Sequence, residues 1–115
     1  AQQGSYSPSL TITTGTGSVV SGSILRVANT GVISLKLELN LSAAVGGNST
    51  VTFAEPNGSI STAVGTITFQ DRSKTLCDSI TLEDNGAGDF YLRFGTVNAD
   101  WTGNETVYVT YQYID

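Results

Sequence analysis

The alternation of hydrophobic and polar residues along the chain predicts β-strands throughout. In the clearest run, residues 32–42, isoleucine or leucine occupies every second position, and polar residues separate them. Because side chains of an extended chain point alternately to opposite faces, this run predicts a strand with one buried and one solvated face. Its predicted buried residues are Ile33, Leu35, Leu37, Leu39 and Leu41.

Shorter runs of the same kind recur along the chain, with glycine, asparagine and proline between them and no competing helical period. The predicted strands span residues 9–14, 19–28, 32–42, 49–54, 64–70, 78–84, 89–97 and 105–114. The other residues predicted to face inward are Leu10, Ile12, Leu25, Val27, Val51, Phe53, Ile67, Phe69, Ile80, Leu82, Phe90, Leu92 and Phe94. About eight short strands at this spacing predict an all-β fold, an antiparallel sandwich or barrel.

Turn-forming residues and the last strand complete this prediction. Residues that tolerate positive φ lie at 15–17, 29–31, 46–48, 56–58, 85–86 and 103–104. The final run, 105–114, carries large side chains on both faces: Val107, Val109, Tyr111 and Tyr113 on one, and Tyr108, Thr110, Gln112 and Ile114 on the other. It therefore predicts an interior strand with neither face freely solvated.

Composition excludes several classes of function. The 115 residues suffice for one domain, and five Lys and Arg against ten Asp and Glu give a net charge of −5. Scattered basic residues argue against nucleic acid and anionic membranes as partners. No apolar run approaches the length of a membrane-spanning helix. The single cysteine, Cys77, cannot form an internal disulfide, and without histidine no catalytic set can be assembled, so an enzyme is not expected.

The loop 98–104 holds the candidate receptor-binding residues Asn98, Asp100, Trp101 and Asn104. An aromatic ring beside amides and a carboxylate resembles sites that stack a sugar ring and bind its hydroxyl groups. The alternative is that Trp101, the only tryptophan, covers the core or a subunit interface.

Two further motifs have ordinary explanations beside functional ones. Residues 83–89 are rich in side-chain oxygen atoms and resemble part of a calcium-binding loop, but the spaced acidic ligands of such a loop are missing. A hairpin turn at 85–86 explains the same residues. No metal or cofactor is therefore expected. Four Asn-X-Ser/Thr sequons begin at Asn40, Asn48, Asn57 and Asn104, and they would carry glycans only in a secretory pathway.

Three segments together resemble the C-terminal head domains of viral fibres. They are the opening Gly4-Ser-Tyr-Ser-Pro-Ser-Leu-Thr-Ile12, the strands through Leu25-Arg-Val27 and 32–41, and the closing run from Trp101 to Ile114. The two groups of fibre heads that these segments resemble are adenovirus fibre heads and phage tail-fibre tips. Typical mammalian adenovirus heads are longer, so a compact head from a divergent adenovirus or a phage tip fits better.

The resemblance implies a jelly-roll-like sandwich that forms a homotrimer at the distal end of a fibre, on the virion surface. Residues 1–8 would end a linker or shaft, and residues 9–115 would form the head. The implied partner is a host cell-surface receptor, protein or glycan. Two other classes stay open: a monomeric bacterial extracellular adhesion or carbohydrate-binding module, and a structural capsid or decoration domain.

Overall fold

Nine β-strands form two antiparallel sheets in the computed structural model, which describes residues 2–42, 49–54, 62–84 and 88–114. The strands are β1 (Gln2–Ser5), β2 (Thr11–Ile12), β3 (Thr16–Val27), β4 (Thr30–Asn40), β5 (Ser49–Ala54), β6 (Thr62–Phe69), β7 (Ile80–Asp84), β8 (Asp89–Phe94) and β9 (Glu105–Ile114). These ranges contain no helix, and therefore none that could cross a membrane. The predicted all-β class is confirmed.

The five-stranded sheet has the order β1-β3-β4-β9-β6, and the four-stranded sheet has the order β2-β5-β8-β7. The strongly alternating β4 lies at the centre of the larger sheet, paired with β3 on one side and β9 on the other. β9 lies between β4 and β6, which confirms that it is an interior strand. One face of each of these two strands packs on the core along its whole length and the other faces outward, which explains their regular hydrophobic pattern.

Both sheets contribute side chains to one hydrophobic core. Its buried members include the five predicted aliphatic residues, four of them in β4 and Leu41 just after it, and the inward residues of β5, β8 and β9. Two groups of aromatic rings fill it: Phe53, Phe90, Tyr111 and Tyr113 in one, and Phe69, Phe94 and Trp101 in the other. Phe94 and Trp101 meet edge to face, with ring centroids 5.7 Å apart, a favourable geometry for aromatic pairs.

The predicted burial of Leu25 and Val27 is wrong, because β3 contains a β-bulge. Leu25 is 41% exposed and Val27 is 56% exposed. The pairing of β3 with β4 shifts by one residue between Val19 and Ser21, so Val20 is an extra residue without a partner on β4. A one-residue insertion reverses the alternation of everything beyond it. A strict period of two, counted from the partly buried Val19, therefore assigns the wrong face to the second half of the strand.

A chain crossing at Gly22 explains why this inward position of β3 is a glycine. The backbone N–H of Tyr6 donates to the Gly22 carbonyl at 3.1 Å, and a Cβ at Gly22 would collide with the Tyr6 carbonyl. The Tyr6 hydroxyl donates to the carbonyl of Ala54 on the other sheet. The segment after β1 thus crosses β3 from the first sheet to the second, and only glycine leaves room for it.

Three local features differ from the sequence prediction. β1 was not predicted, and it pairs with β3 at the edge of the five-stranded sheet. The turn between β3 and β4 lies at Ala28 and Asn29, where Ala28 has φ of 55°, and Gly31 instead lies in β4 beneath the ring of Tyr113. The outer side of β9 is solvated, so the expectation that neither of its faces is free is wrong. The predicted turns at 46–48, 56–58 and 85–86 lie outside the described residues.

Candidate functional site

Trp101, the centre of the predicted receptor-binding loop, is a core residue. It is 2% exposed, and its rings meet Phe69 and Phe94 nearly at right angles. Its indole Nε1–H donates to the carbonyl of Leu39 at 3.2 Å. Both the ring and its polar atom are therefore occupied inside the molecule, in the position that the core-covering alternative requires.

The polar groups of the loop 98–104, here called the Trp101 loop, bind mainly its own backbone and a neighbouring segment. The side-chain oxygen of Asn98 accepts a hydrogen bond from the Asp100 N–H at 3.1 Å. The backbone carbonyl of Asn98 accepts a second one from the Trp101 N–H at 3.0 Å. The Asp100 carboxylate accepts from the Thr75 N–H at 3.0 Å. These bonds satisfy backbone groups that have no strand partner.

The Trp101 loop borders a cavity of about 310 Å³ that two of the predicted site residues help to line. Its lining residues are Ser42, Val97, Asn98, Ala99 and Trp101. The structure thus brings Asn98 and Trp101 together at one cavity, whereas Asp100 binds Thr75 and Asn104 is exposed beyond them. Receptor binding by these four residues stays a prediction.

A second concavity, which the sequence did not reveal, lies on the outward side of the five-stranded sheet beside the β-bulge. It has a volume of about 300 Å³. We call it the Lys36 depression; its lining residues are Ser21, Gly22, Ser23, Ser34, Leu35, Lys36, Tyr108 and Thr110. They come from the three adjacent strands β3, β4 and β9, where Ser21 pairs with Lys36 and Lys36 pairs with Tyr108.

Lys36 and Tyr108 give the depression a cation and an aromatic surface. The Lys36 Nζ lies 5.9 Å from the centroid of the Tyr108 ring, within the range of a cation–π contact. Tyr108 is 39% exposed, and its hydroxyl donates to the Gln70 Oε1 at 3.4 Å. The ring is thus held at two points and still presents surface to solvent.

Four hydroxyl groups complete the depression, from Ser21, Ser23, Ser34 and Thr110. Within the described part of the chain none of them has a hydrogen-bond partner, unlike the polar groups of the Trp101 loop. Ser23, Ser34 and Thr110 pair in register across the three strands and form one continuous row. The only sequence signal for this arrangement is alternation of serine with hydrophobic residues, which is common to exposed strands.

The residues with metal-binding or nucleophilic potential are engaged elsewhere or shielded. Burial raises the pKa of the Cys77 thiol, which disfavours the reactive thiolate. Glu83, from the oxygen-rich segment, accepts from the Arg93 Nε at 2.8 Å, and that bond leads the causes that lower the pKa of its carboxyl group. The described residues contain no group of three His, Cys, Asp or Glu side chains that could hold a metal ion.

Two of the four sequon asparagines lie in described segments. The Asn40 side-chain oxygen accepts from the Ser42 hydroxyl at 2.6 Å and from its N–H at 3.2 Å, and Asn104 is exposed. Asn48 and Asn57 lie outside the described residues. The side-chain amide nitrogen, which would carry a glycan, takes no part in the Asn40 bonds.

Comparisons of this chain with family models, curated proteins and solved structures found no match. The resemblance to viral fibre heads therefore stays a prediction, and the functional argument depends on the surface of the molecule itself.

Proposed function

We propose that this chain is a non-enzymatic attachment module, the head of a homotrimeric viral fibre that binds a host cell-surface receptor, protein or glycan. In this proposal the two sheets form a jelly-roll-like sandwich at the distal end of the fibre, on the virion surface. Residues 9–115 are the head, and residues 1–8 end the shaft with β1 packed at the head's edge. The sequence resemblance and the all-β, two-sheet architecture support it.

The observation that carries the proposal is an exposed apolar area on the outward side of the five-stranded sheet. We call it the apolar end; it comprises Leu25, Val27, Val64 and Ile114, which are 41–71% exposed. They lie in two adjacent cross-strand rows, one through Leu25 and Val64 and one through Val27 and Ile114. Clustered exposed apolar side chains favour burial against another surface.

The apolar end suits a second copy of the chain as its partner, because its rows carry no charge to add to the repulsion between copies. Each copy has a net charge of −5, so copies repel one another over most approaches. The register partners of these four residues are all uncharged: Gln3, Thr30, Val32, Thr62 and Gln112. The apolar end therefore offers subunits a contact with favourable burial and little repulsion.

Exposed cross-strand hydroxyls and the Lys36 depression lie next to the apolar end on the same sheet, and they suit ligand binding. Attachment by three identical heads strengthens a weak single site, since the second and third contacts become intramolecular. The same depression would also serve the second candidate, a monomeric bacterial extracellular adhesion or carbohydrate-binding module. The oligomeric state separates the two functions.

The test is the absolute mass of the 115-residue chain, measured by light scattering after size exclusion. A trimer gives about three times the 12.0 kDa chain mass. Val27→Ser combined with Val64→Ser should dissociate it, because both changes place a polar group in the subunit contact. The matched control is Val20→Ser, which changes a 51% exposed valine of β3 outside the apolar end and should leave the trimer intact.

A monomer at all concentrations would overturn the fibre-head proposal and favour the monomeric module. A trimer that binds no cells or glycans would overturn attachment and favour a structural decoration domain. Cell binding is measured with the labelled protein on the same preparations, so assembly and attachment are scored separately.

A further inference from the structure

We propose that the Lys36 depression binds a sugar that carries a carboxylate, such as a sialic or uronic acid residue at the end of a glycan. This inference rests on the proposed attachment function, because it names the part of the receptor that the head would hold. It goes beyond the Trp101 loop to residues that no sequence motif indicates.

The β-bulge makes this part of the sheet concave. A regular antiparallel sheet presents a nearly flat surface of side chains, whereas an extra residue bends its strand and increases the local twist. Val20 is that extra residue, and the depression begins at its neighbour Ser21. The concavity is therefore built into the hydrogen-bonded ladder rather than into a loop, which keeps its walls in fixed positions.

Lys36 provides the charge that selects an anionic ligand. Among the described residues it has no ion-pair partner, although Glu38 lies two residues away on the same side of β4. An ammonium group donates charge-assisted hydrogen bonds to a carboxylate. One cation beside one anion does not attract a polyphosphate, which requires several cations, so the arrangement favours a ligand with a single carboxylate.

The hydroxyl groups and Tyr108 suit the rest of a sugar ring. Ser21, Ser23, Ser34 and Thr110 can each donate and accept, as sugar hydroxyls do. The partly exposed Tyr108 ring supplies a flat apolar surface for the C–H groups of a pyranose. Cation, hydroxyls and ring together match the three chemical features of an acidic sugar.

The size of the depression indicates a single weak site. Its volume of about 300 Å³ is at the lower end for small-molecule sites and suits one sugar residue. A uronic acid of about a dozen heavy atoms, at an ordinary ligand efficiency of about 0.3 kcal/mol per atom, binds with a Kd of about 2 mM. Three such sites on one head would raise the avidity for a cell surface well above that value.

The experiment is a titration of the full 115-residue chain, followed by ¹H–¹⁵N NMR, with paired acidic and neutral sugars. The pairs are sialyllactose with lactose, and methyl glucuronide with methyl glucoside. We expect shifts centred on the Lys36 depression and about tenfold tighter binding of the acidic member, a preference that weakens with added salt.

Three variants assign the preference to named groups. Lys36→Gln should remove the tenfold preference, and Lys36→Arg should keep most of it. Tyr108→Ala should weaken the acidic and the neutral sugar alike. Arg72→Gln is the matched control, because it removes an exposed cation from outside the depression and should change nothing. Unchanged NMR spectra away from the site show that each variant is folded.

Equal binding of acidic and neutral sugars, shifts centred elsewhere, or no binding at about 10 mM sugar would overturn the inference. The inference would also be overturned if an acidic peptide bound at the depression and no sugar did. Failure of the inference differs from failure of the proposed function. If Lys36→Gln heads still form trimers and bind cells normally, the depression is not the receptor site and attachment stands. If the unmodified chain is monomeric or binds no cells, the fibre-head function fails whatever the sugar titration gives.

Discussion

The Trp101 loop and the Lys36 depression contain similar kinds of side chain in opposite situations. Each has an aromatic ring with polar groups close by. In the Trp101 loop the ring is buried in the core, and Asn98 and Asp100 bind backbone N–H groups. In the Lys36 depression the ring is partly exposed, and the hydroxyls have no partner within the described ranges.

The difference follows from where each region obtains its backbone hydrogen bonds. A loop has no strand neighbour, so its side chains satisfy the backbone and are thereby committed to structure. On paired strands the ladder satisfies the backbone, and the outward side chains are left for solvent or a ligand. In this chain the Trp101 loop is therefore weaker evidence for a binding site than its composition indicates, and the polar concavity on the sheet is stronger evidence.

Among these predictions, replacing Trp101 should have the largest effect on the unfolding free energy. Trp101→Ala removes a buried ring from between Phe69 and Phe94 and is expected to cost about 3–5 kcal/mol of unfolding free energy, measured by urea denaturation. Trp101→Phe, the control, keeps an aromatic ring and should cost less. A Trp101→Ala protein of unchanged stability that binds no cells would contradict the structural role and restore the loop as a receptor site.

Deleting Val20 tests whether the bulge creates the Lys36 depression. The deletion leaves Val19 opposite Leu37 and Ser21 opposite Lys36, so every other residue of β3 keeps its face. We expect the unfolding free energy to fall by about 1 kcal/mol, as it does for a typical single substitution. We also expect weaker binding of acidic sugars in the NMR titration. Deletion of Ser23 is the control: it reverses the faces along part of the strand and should prevent folding. Full sugar binding without Val20 would mean that the bulge is not needed.

The bulge also marks the limit of what this sequence could predict. Alternation located most of the strands and identified the buried residues of β4 and β9, because one face of each is buried throughout. It failed for Leu25 and Val27, since nothing in the residues around Val20 announces an extra residue. The Lys36 depression depends on that same register shift and on pairing between β4 and β9, whose residues are about seventy positions apart. Long-range pairing of this kind is not encoded in any local motif.

The ion pair beside the Trp101 loop should have a smaller effect, visible in the pH dependence of stability. The Lys74 Nζ donates to the Glu105 Oε2 at 3.0 Å, and this bond is the main cause that raises the pKa of Lys74. A raised lysine pKa stabilises the fold below the ordinary value of 10.5, and the contribution disappears as the pH rises through the folded-state value.

Lys74→Gln should therefore be slightly less stable than the unmodified chain at pH 7–9, and the difference should vanish at higher pH. The measurement is the urea midpoint of each protein from pH 7 to above the lysine pKa. A difference that stays constant above the lysine pKa would show that the charge on Lys74 does not contribute.

The smallest effect on stability is expected in the hydroxyl row, which we define as Ser23, Ser34, Thr110 and Thr66, paired in register across β3, β4, β9 and β6. Thr110 lines the Lys36 depression and Thr66 does not, yet both are exposed. Thr110→Val and Thr66→Val should each change the unfolding free energy by less than about 0.5 kcal/mol, because neither hydroxyl has an internal partner in the described ranges. Only Thr110→Val should weaken sugar binding, by a few-fold for one lost hydrogen bond. Equal effects of the two variants on binding would mean that the ligand follows the whole hydroxyl row rather than the depression.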